Sequence, residues 1–139
     1  MQQTILAIAG KPGLYRMVSR GANQTLIVES LDAQKRRMPA FASDRITSLS
    51  DVAMYTDGDD VPLLDVLDSA KTAFDGKPTD FNPKRAGGDE LRQAFARVLP
   101  TFDRDRVHVS DIQKFFAWYN LLVEAGITDF KEDTQDEQL

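Results

Sequence analysis

The residues of this chain best suited to chemistry lie at three places, and each pattern can be held against what its chemistry requires. His108 is the only histidine, and Asp103, Asp105 and Asp111 are close to it in sequence. An imidazole beside carboxylates can act as an acid–base pair or help to hold a metal ion. One histidine without cysteine is a poor zinc set. A calcium loop opening at Asp103 would need glycine at its sixth position and glutamate at its twelfth, where this chain has His108 and Lys114. The acidic run Asp57-Gly58-Asp59-Asp60 fails the same test, with Pro62 and Asp68 at those positions, and reads as a turn carrying a helix cap. Gly10-Lys11-Pro12-Gly13 lacks the G-x-x-x-x-G-K-[ST] pattern of a phosphate loop, and Pro12 removes an amide that such a loop would use. No nucleophile–base pair, metal-ligand spacing or cofactor fingerprint is present, so the expectation is a non-enzymatic protein with no catalytic residue, cofactor or metal. The rival is an ion-dependent or hydrolytic site around His108.

Two further groups of residues could recognise a partner. Phe115-Phe116-Ala117-Trp118-Tyr119 puts four aromatics into little more than one helical turn. Core packing, with the β domain and the Leu63–Phe74 helix docked on the same face, explains most of these rings. Two short helices offer limited area to cover them all, so Phe115, Phe116, Trp118 and Tyr119 are the candidates from which an exposed protein-interaction patch could form. Lys35-Arg36-Arg37 is the densest basic run, and with Lys11, Arg16 and Arg20 it could form a basic face that contacts RNA or DNA phosphates. The alternating Asp103-Arg104-Asp105-Arg106 reads instead as a salt-bridged connector.

The elements that must position these residues are legible from periodicity. Thr4–Ala9, Leu14–Ser19 and Thr25–Glu29 read as strands separated by the turns at 10–13 and 21–23. Lys35–Ala40 returns as an edge strand carrying Pro39, and Val52–Thr56 follows a Ser/Asp-rich stretch as a fifth strand. Five short strands in under sixty residues predict a small SH3-like β-barrel or a bent sheet. A helix opens at Asp60, with Pro62 in its first turn and Leu63, Val66, Leu67, Ala70 and Phe74 on one face, and Asp75-Gly76 stops it. Residues 77–88, with two prolines and Gly87-Gly88, read as a linker. Leu91, Ala94, Phe95, Val98 and Leu99 mark a second helix. Ser110 and Gln113 offer a capping box for a third, and Gly126 closes it with Ile127 returning to touch Leu122. The organisation expected is a β domain over 1–58, a connecting helix over 59–76, the linker 77–88, a helical hairpin over 89–130 and a disordered acidic tail over 131–139.

Bulk composition sets the class. At 139 residues, 42% hydrophobic and 28% charged, the chain is that of a folded α+β protein. It has no cysteine, which fits a reducing, cytoplasmic compartment, and no apolar run long enough for export or membrane anchoring. The net charge of −5 is unevenly placed: Lys and Arg outnumber Asp and Glu over 1–50, and the reverse holds beyond.

Taken together, the opening Ile8-Ala9-Gly10-Lys11-Pro12-Gly13-Leu14-Tyr15, the strand Ile27-Val28-Glu29-Ser30-Leu31, and the closing Trp118-Tyr119-Asn120-Leu121-Leu122 with Ala125-Gly126-Ile127-Thr128-Asp129-Phe130 resemble a family of short bacterial proteins of unknown function. The resemblance implies a β-then-helical layout from about Thr4 to Phe130, and no activity. The function expected is that of an adaptor acting through contacts with an unidentified protein partner or with itself. The alternative is nucleic-acid binding by the β domain.

Overall fold

Side-chain alternation along the first strands divides the sheet into two faces, and these faces organise the molecule. The computed structural model describes residues 4–130 apart from residues 12, 24, 33, 42 and 43, so the acidic tail at 131–139 lies outside the described residues. Strands β1 (Ile5–Ile8), β2 (Tyr15–Arg20), β3 (Leu26–Ser30), β4 (Arg37–Ala40) and β5 (Ile46–Ser48) form an antiparallel sheet in the order β4-β3-β2-β1-β5. Pairing Leu6 with Tyr15, Met17 with Val28, Val28 with Met38 and Ile8 with Ile46 puts these side chains on one face, where Leu6, Ile8, Tyr15, Val28 and Ala40 bury one another. Ile5, Ala7, Arg16, Glu29, Arg37 and Thr47 take the other face.

The sheet is open. β4 and β5 are its two edges and do not pair with each other, which corrects the barrel alternative in favour of a sheet. Pro39 lies on edge strand β4, where its missing N–H costs no ladder bond. A second correction concerns the fifth strand. β5 falls inside the Ser/Asp-rich stretch, held there because Ile46 lies opposite Ile8 and joins the apolar face. The Val52–Thr56 stretch instead contributes β6 (Ala53–Met54), which pairs with β7 (Val61–Pro62). Pro62 therefore belongs to a strand rather than to a first helical turn, and Asp60 makes no cap.

Three helices follow: α1 (Leu63–Ala73), α2 (Gly88–Val98) and α3 (Val109–Glu124). At its end, α1 places Asp75 (φ 58) and Gly76 (φ 73) in the left-handed region, and the Gly76 N–H reaches the Lys71 carbonyl at 2.8 Å. α3 begins two residues earlier than the Ser110 box predicts. Its cap position is His108, whose N–H donates to Asp111 Oδ2 at 3.0 Å, so the carboxylate does the work expected of Gln113. The Gly126 end is as expected, with Gly126 N–H bonded to the Val123 carbonyl at 3.0 Å and Ile127 N–H to the Leu122 carbonyl at 2.8 Å.

A single large core joins the two halves. Ile5, Leu14 and Leu49 from the sheet region pack in one cluster with Leu63, Val66, Leu67 and Ala70 of α1 and the apolar faces of α2 and α3. The 77–88 segment lies pinned along α3. Asn120 accepts from the Thr79 N–H at 2.8 Å and donates to Thr79 Oγ1, Gln113 donates to the Pro83 carbonyl, and the Tyr119 hydroxyl donates to the Lys77 carbonyl at 2.7 Å.

Candidate binding cleft

α3 has two working faces. Ile112, Phe115, Phe116, Tyr119 and Leu122 point into the core. Lys114, Ala117, Trp118 and Leu121, at i, i+3, i+4 and i+7, line a cleft of about 1010 Å³ between this helix and the sheet. The facing wall is made by Ala7 and Thr47, cross-strand neighbours on β1 and β5, by the turn around Lys11, and by Arg45. Asn82, Pro83 and Lys84 close one side. The turn is held by left-handed Gly10 (φ 83) and Gly13 (φ 77), and a side chain at Gly13 would lie 3.8 Å from Leu121 of α3.

Trp118 is half-buried, and the Lys114 ammonium sits 5.8 Å from its ring centroid. On the indole's border a smaller, mostly apolar pocket of about 220 Å³ is lined by Val52, Met54, Leu63, Val107 and Phe115, with Tyr55 and Asp111 also on its wall. Trp118 and Lys114 border both spaces. Four cations, Lys11, Arg45, Lys84 and Lys114, line the large cleft against two carboxylates, Asp32 and Glu124. None of the four is in an ion pair with a described residue. Asp32 is already occupied in its hairpin, where its Oδ1 accepts from Ser30 Oγ and from the Gln34 and Lys35 amides.

Of the expected interaction residues, only Trp118 is available. Phe115 is 2% exposed, and Phe116 and Tyr119 are 0% exposed, so these three belong to the core and drop out as contact residues. Two of the rings that cover them come from segments outside the two-helix unit, and one from α2. Phe74 at the end of α1 and Phe81 of the pinned segment meet Phe116 at centroid distances of 6.0 and 5.2 Å, and Phe74 meets Tyr119 at 5.7 Å. Phe95 of α2 covers Phe115 at 5.3 Å.

The basic face is likewise divided. Arg16 and Arg37 lie on neighbouring positions across β2, β3 and β4 and both bind Glu29, Arg16 through Nε at 3.0 Å and Arg37 through Nε at 3.1 Å. These guanidinium bonds, Arg37 first and then Arg16, hold the Glu29 carboxyl below its ordinary value of 4.5. Lys11 borders the cleft, but its ammonium donates to Met38 Sδ at 3.6 Å on the opposite face of the sheet, while Arg20, Lys35 and Arg36 are exposed at strand ends and turns. The six residues do not make one uninterrupted cationic surface. Around His108, Asp111 caps α3. Asp103 Oδ1 accepts from the Asp105 and Arg106 amides, and its Oδ2 takes Arg106 Nε at 2.8 Å. Among the described residues no three His, Cys, Asp or Glu side chains are placed to hold a metal ion.

Residues 52–122 match a family described as "Domain of unknown function (DUF6852)", and residues 3–49 match a second described as "Domain of unknown function (DUF5606)". A solution NMR structure of a protein from Bacteroides vulgatus, a structural-genomics target, is 53% identical, with 96% of this chain and 92% of that chain covered and a TM-score of 0.75. The chain belongs to the DUF6852 family. No curated protein matches it. In this DUF6852 member the cleft lies between the two matched regions: Lys11 and Arg45 come from the DUF5606 part, and Lys84, Lys114 and Trp118 from the DUF6852 part. Sequence reasoning passed over Lys114, although its i, i+4 spacing to Trp118 marks a second stripe on α3. Arg45 and Lys84 carry no such signal, because only the packing of a β5-flanking turn and the pinned segment brings them to one space.

Proposed function

We propose that this protein is a non-enzymatic binding protein, an adaptor that acts through protein–protein contacts at the Trp118 cleft. One observation carries the reading: Trp118 stays partly exposed on the wall of a large cleft, while the other three aromatics of α3 are buried. A partly supported indole loses little further freedom on binding and presents a large apolar face, the usual character of an interface anchor. The cleft also lies where two regions of the chain meet, a common place for binding sites. Under this reading the occupant is a partner protein or a second copy of the chain, and the setting is a bacterial cytoplasm. Nucleic-acid binding through Lys11, Arg16, Arg20, Lys35, Arg36 and Arg37 has less support, since Glu29 neutralises two of the six.

Affinity purification from the native cell with wild-type, Trp118→Ala and Phe41→Ala baits tests the adaptor. Phe41 is 52% exposed and lies outside the cleft, so it controls for loss of any surface aromatic. With all three baits folded by circular dichroism, one specific protein is expected to fall by about tenfold or more with Trp118→Ala and to persist with Phe41→Ala. Identical partner lists from all three baits would remove the reading.

A further inference from the structure

The cleft also constrains the chemistry of what enters it, given the adaptor reading on which this step rests. Arg45, Lys84 and Lys114 line one concavity together with Glu124 and the hairpin-held Asp32, and none of the three is in an ion pair with a described residue, in a chain whose net charge is −5. Cations gathered in a concave site raise the local concentration of anions and disfavour basic ligands. Sharing Trp118 and Lys114 as borders is a second pocket lined by Val52, Met54, Leu63, Val107 and Phe115, with Tyr55 and Asp111, whose carboxylate caps α3, also on its wall, and with a volume suited to one large apolar side chain. An anion alone would leave that pocket unused, and an apolar ligand alone would leave the surplus of cations over carboxylates in the cleft unmatched.

We infer that the occupant is an acidic segment of a partner protein that carries one large apolar side chain. Its carboxylates meet Arg45, Lys84 and Lys114, and its apolar side chain enters the pocket bordered by Trp118. A nucleic acid satisfies the first condition only, because its bases offer stacking on the indole but no aliphatic or aromatic side chain for the inner pocket.

Trp118 is the only tryptophan, so its fluorescence reports on the site directly. The probes are short synthetic peptides rich in Glu with a central Leu, the same peptide with central Gly, a Lys-rich peptide with central Leu, and an oligothymidylate. The Glu-rich Leu peptide is expected to shift Trp118 emission and to perturb the amide NMR signals of Val52 and Met54, with affinity falling by about tenfold or more between about 0.05 and 0.5 M salt. The central Gly version, and the double variant Lys84→Glu with Lys114→Glu, should each bind about tenfold more weakly. Equal binding by the Lys-rich peptide, or no response to the Glu-rich Leu peptide at low salt, overturns the inference. A response to oligothymidylate alone overturns it in favour of nucleic acid. Failure of the acidic peptides while Trp118→Ala still loses a specific cellular partner would refute the acidic ligand and leave the adaptor standing.

Discussion

Tyr119 shows how much a single side chain of α3 contributes once it is turned inward. Its ring is fully buried against Phe74 and Phe130, and its hydroxyl donates to the Lys77 carbonyl at 2.7 Å, satisfying a backbone acceptor that has left regular structure. Burial pushes the phenol up from its ordinary 10 to about 12. A raised folded value means that the native state holds the proton more tightly than the unfolded chain. The phenol's contribution is therefore full below pH 10 and is lost as pH rises toward 12. Tyr119→Phe should cost about 1 kcal/mol at neutral pH by orphaning the Lys77 carbonyl. In urea titrations at a series of pH values, the gap between wild type and variant should narrow above pH 10; a constant gap would show that the hydroxyl does not titrate with the fold.

At the scale of elements, the turn between β1 and β2 and the helix α3 together make the cleft, and each is fixed by a different physical cause. α3 is held by its Phe and Tyr face, where burial of each large side chain contributes about 1.5–3 kcal/mol, so its orientation leaves Lys114 and Trp118 no choice of side. The turn is held by backbone conformation. Gly10 has open space around its missing Cβ, and Gly13 would make only ordinary contact at 3.8 Å, so alanine at either position is opposed by the positive φ rather than by crowding. Gly10→Ala and Gly13→Ala should each lower stability by about 1–2 kcal/mol in denaturant titrations. A much larger loss at Gly13 would mean that the turn and Leu121 are packed more tightly than this geometry allows. The pinned segment at 77–88 is a third device: the Asn120 amide bonds twice to Thr79 and so fixes the stretch that carries Phe81 and Lys84.

For the whole molecule, the decisive feature is that Ile5, Leu14 and Leu49 share a core with all three helices. The two family regions are therefore not separate beads, and each would expose apolar surface if the other were removed. The bridge between Thr56 and Phe102, with Asp57 N–H bonded to the Thr101 carbonyl at 2.9 Å and Asp103 N–H to the Tyr55 carbonyl at 3.0 Å, ties the β6 region to the α2–α3 connection. Arg106 reinforces it by donating to the Thr56 carbonyl and stacking over Tyr55 at 4.3 Å. Unfolding in urea should be a single cooperative transition, with the same midpoint from Trp118 fluorescence in the helical part and from the NMR signals of buried Val28 and Ala40 in the sheet. Two separated midpoints would show that the sheet's own apolar face holds it independently.

The sequence by itself determined the α+β layout, because short-range chemistry specifies it. β-branched and apolar alternation from Ile5 to Ser30 marks strands, 3.6-residue spacing from Leu63, Leu91 and Ile112 marks three helices, and Gly126 ends the last as a left-handed glycine. It determined less where an element is too short to carry a period. β5 has three residues and β7 two, and both exist because of their partners. Periodicity also identified the aromatic face of α3 without telling what would cover it. Phe74 and Phe81 do so from segments that are remote in sequence, and burial of three of the four candidate rings was therefore a tertiary outcome. The same holds for charge. Glu29 cancels Arg16 and Arg37 only because strand register puts them side by side, and Arg45, Lys84 and Lys114 become one site only because the sheet packs against α3. Local residue type sets what each segment can form, whereas the register and docking of distant segments decide which side chains meet.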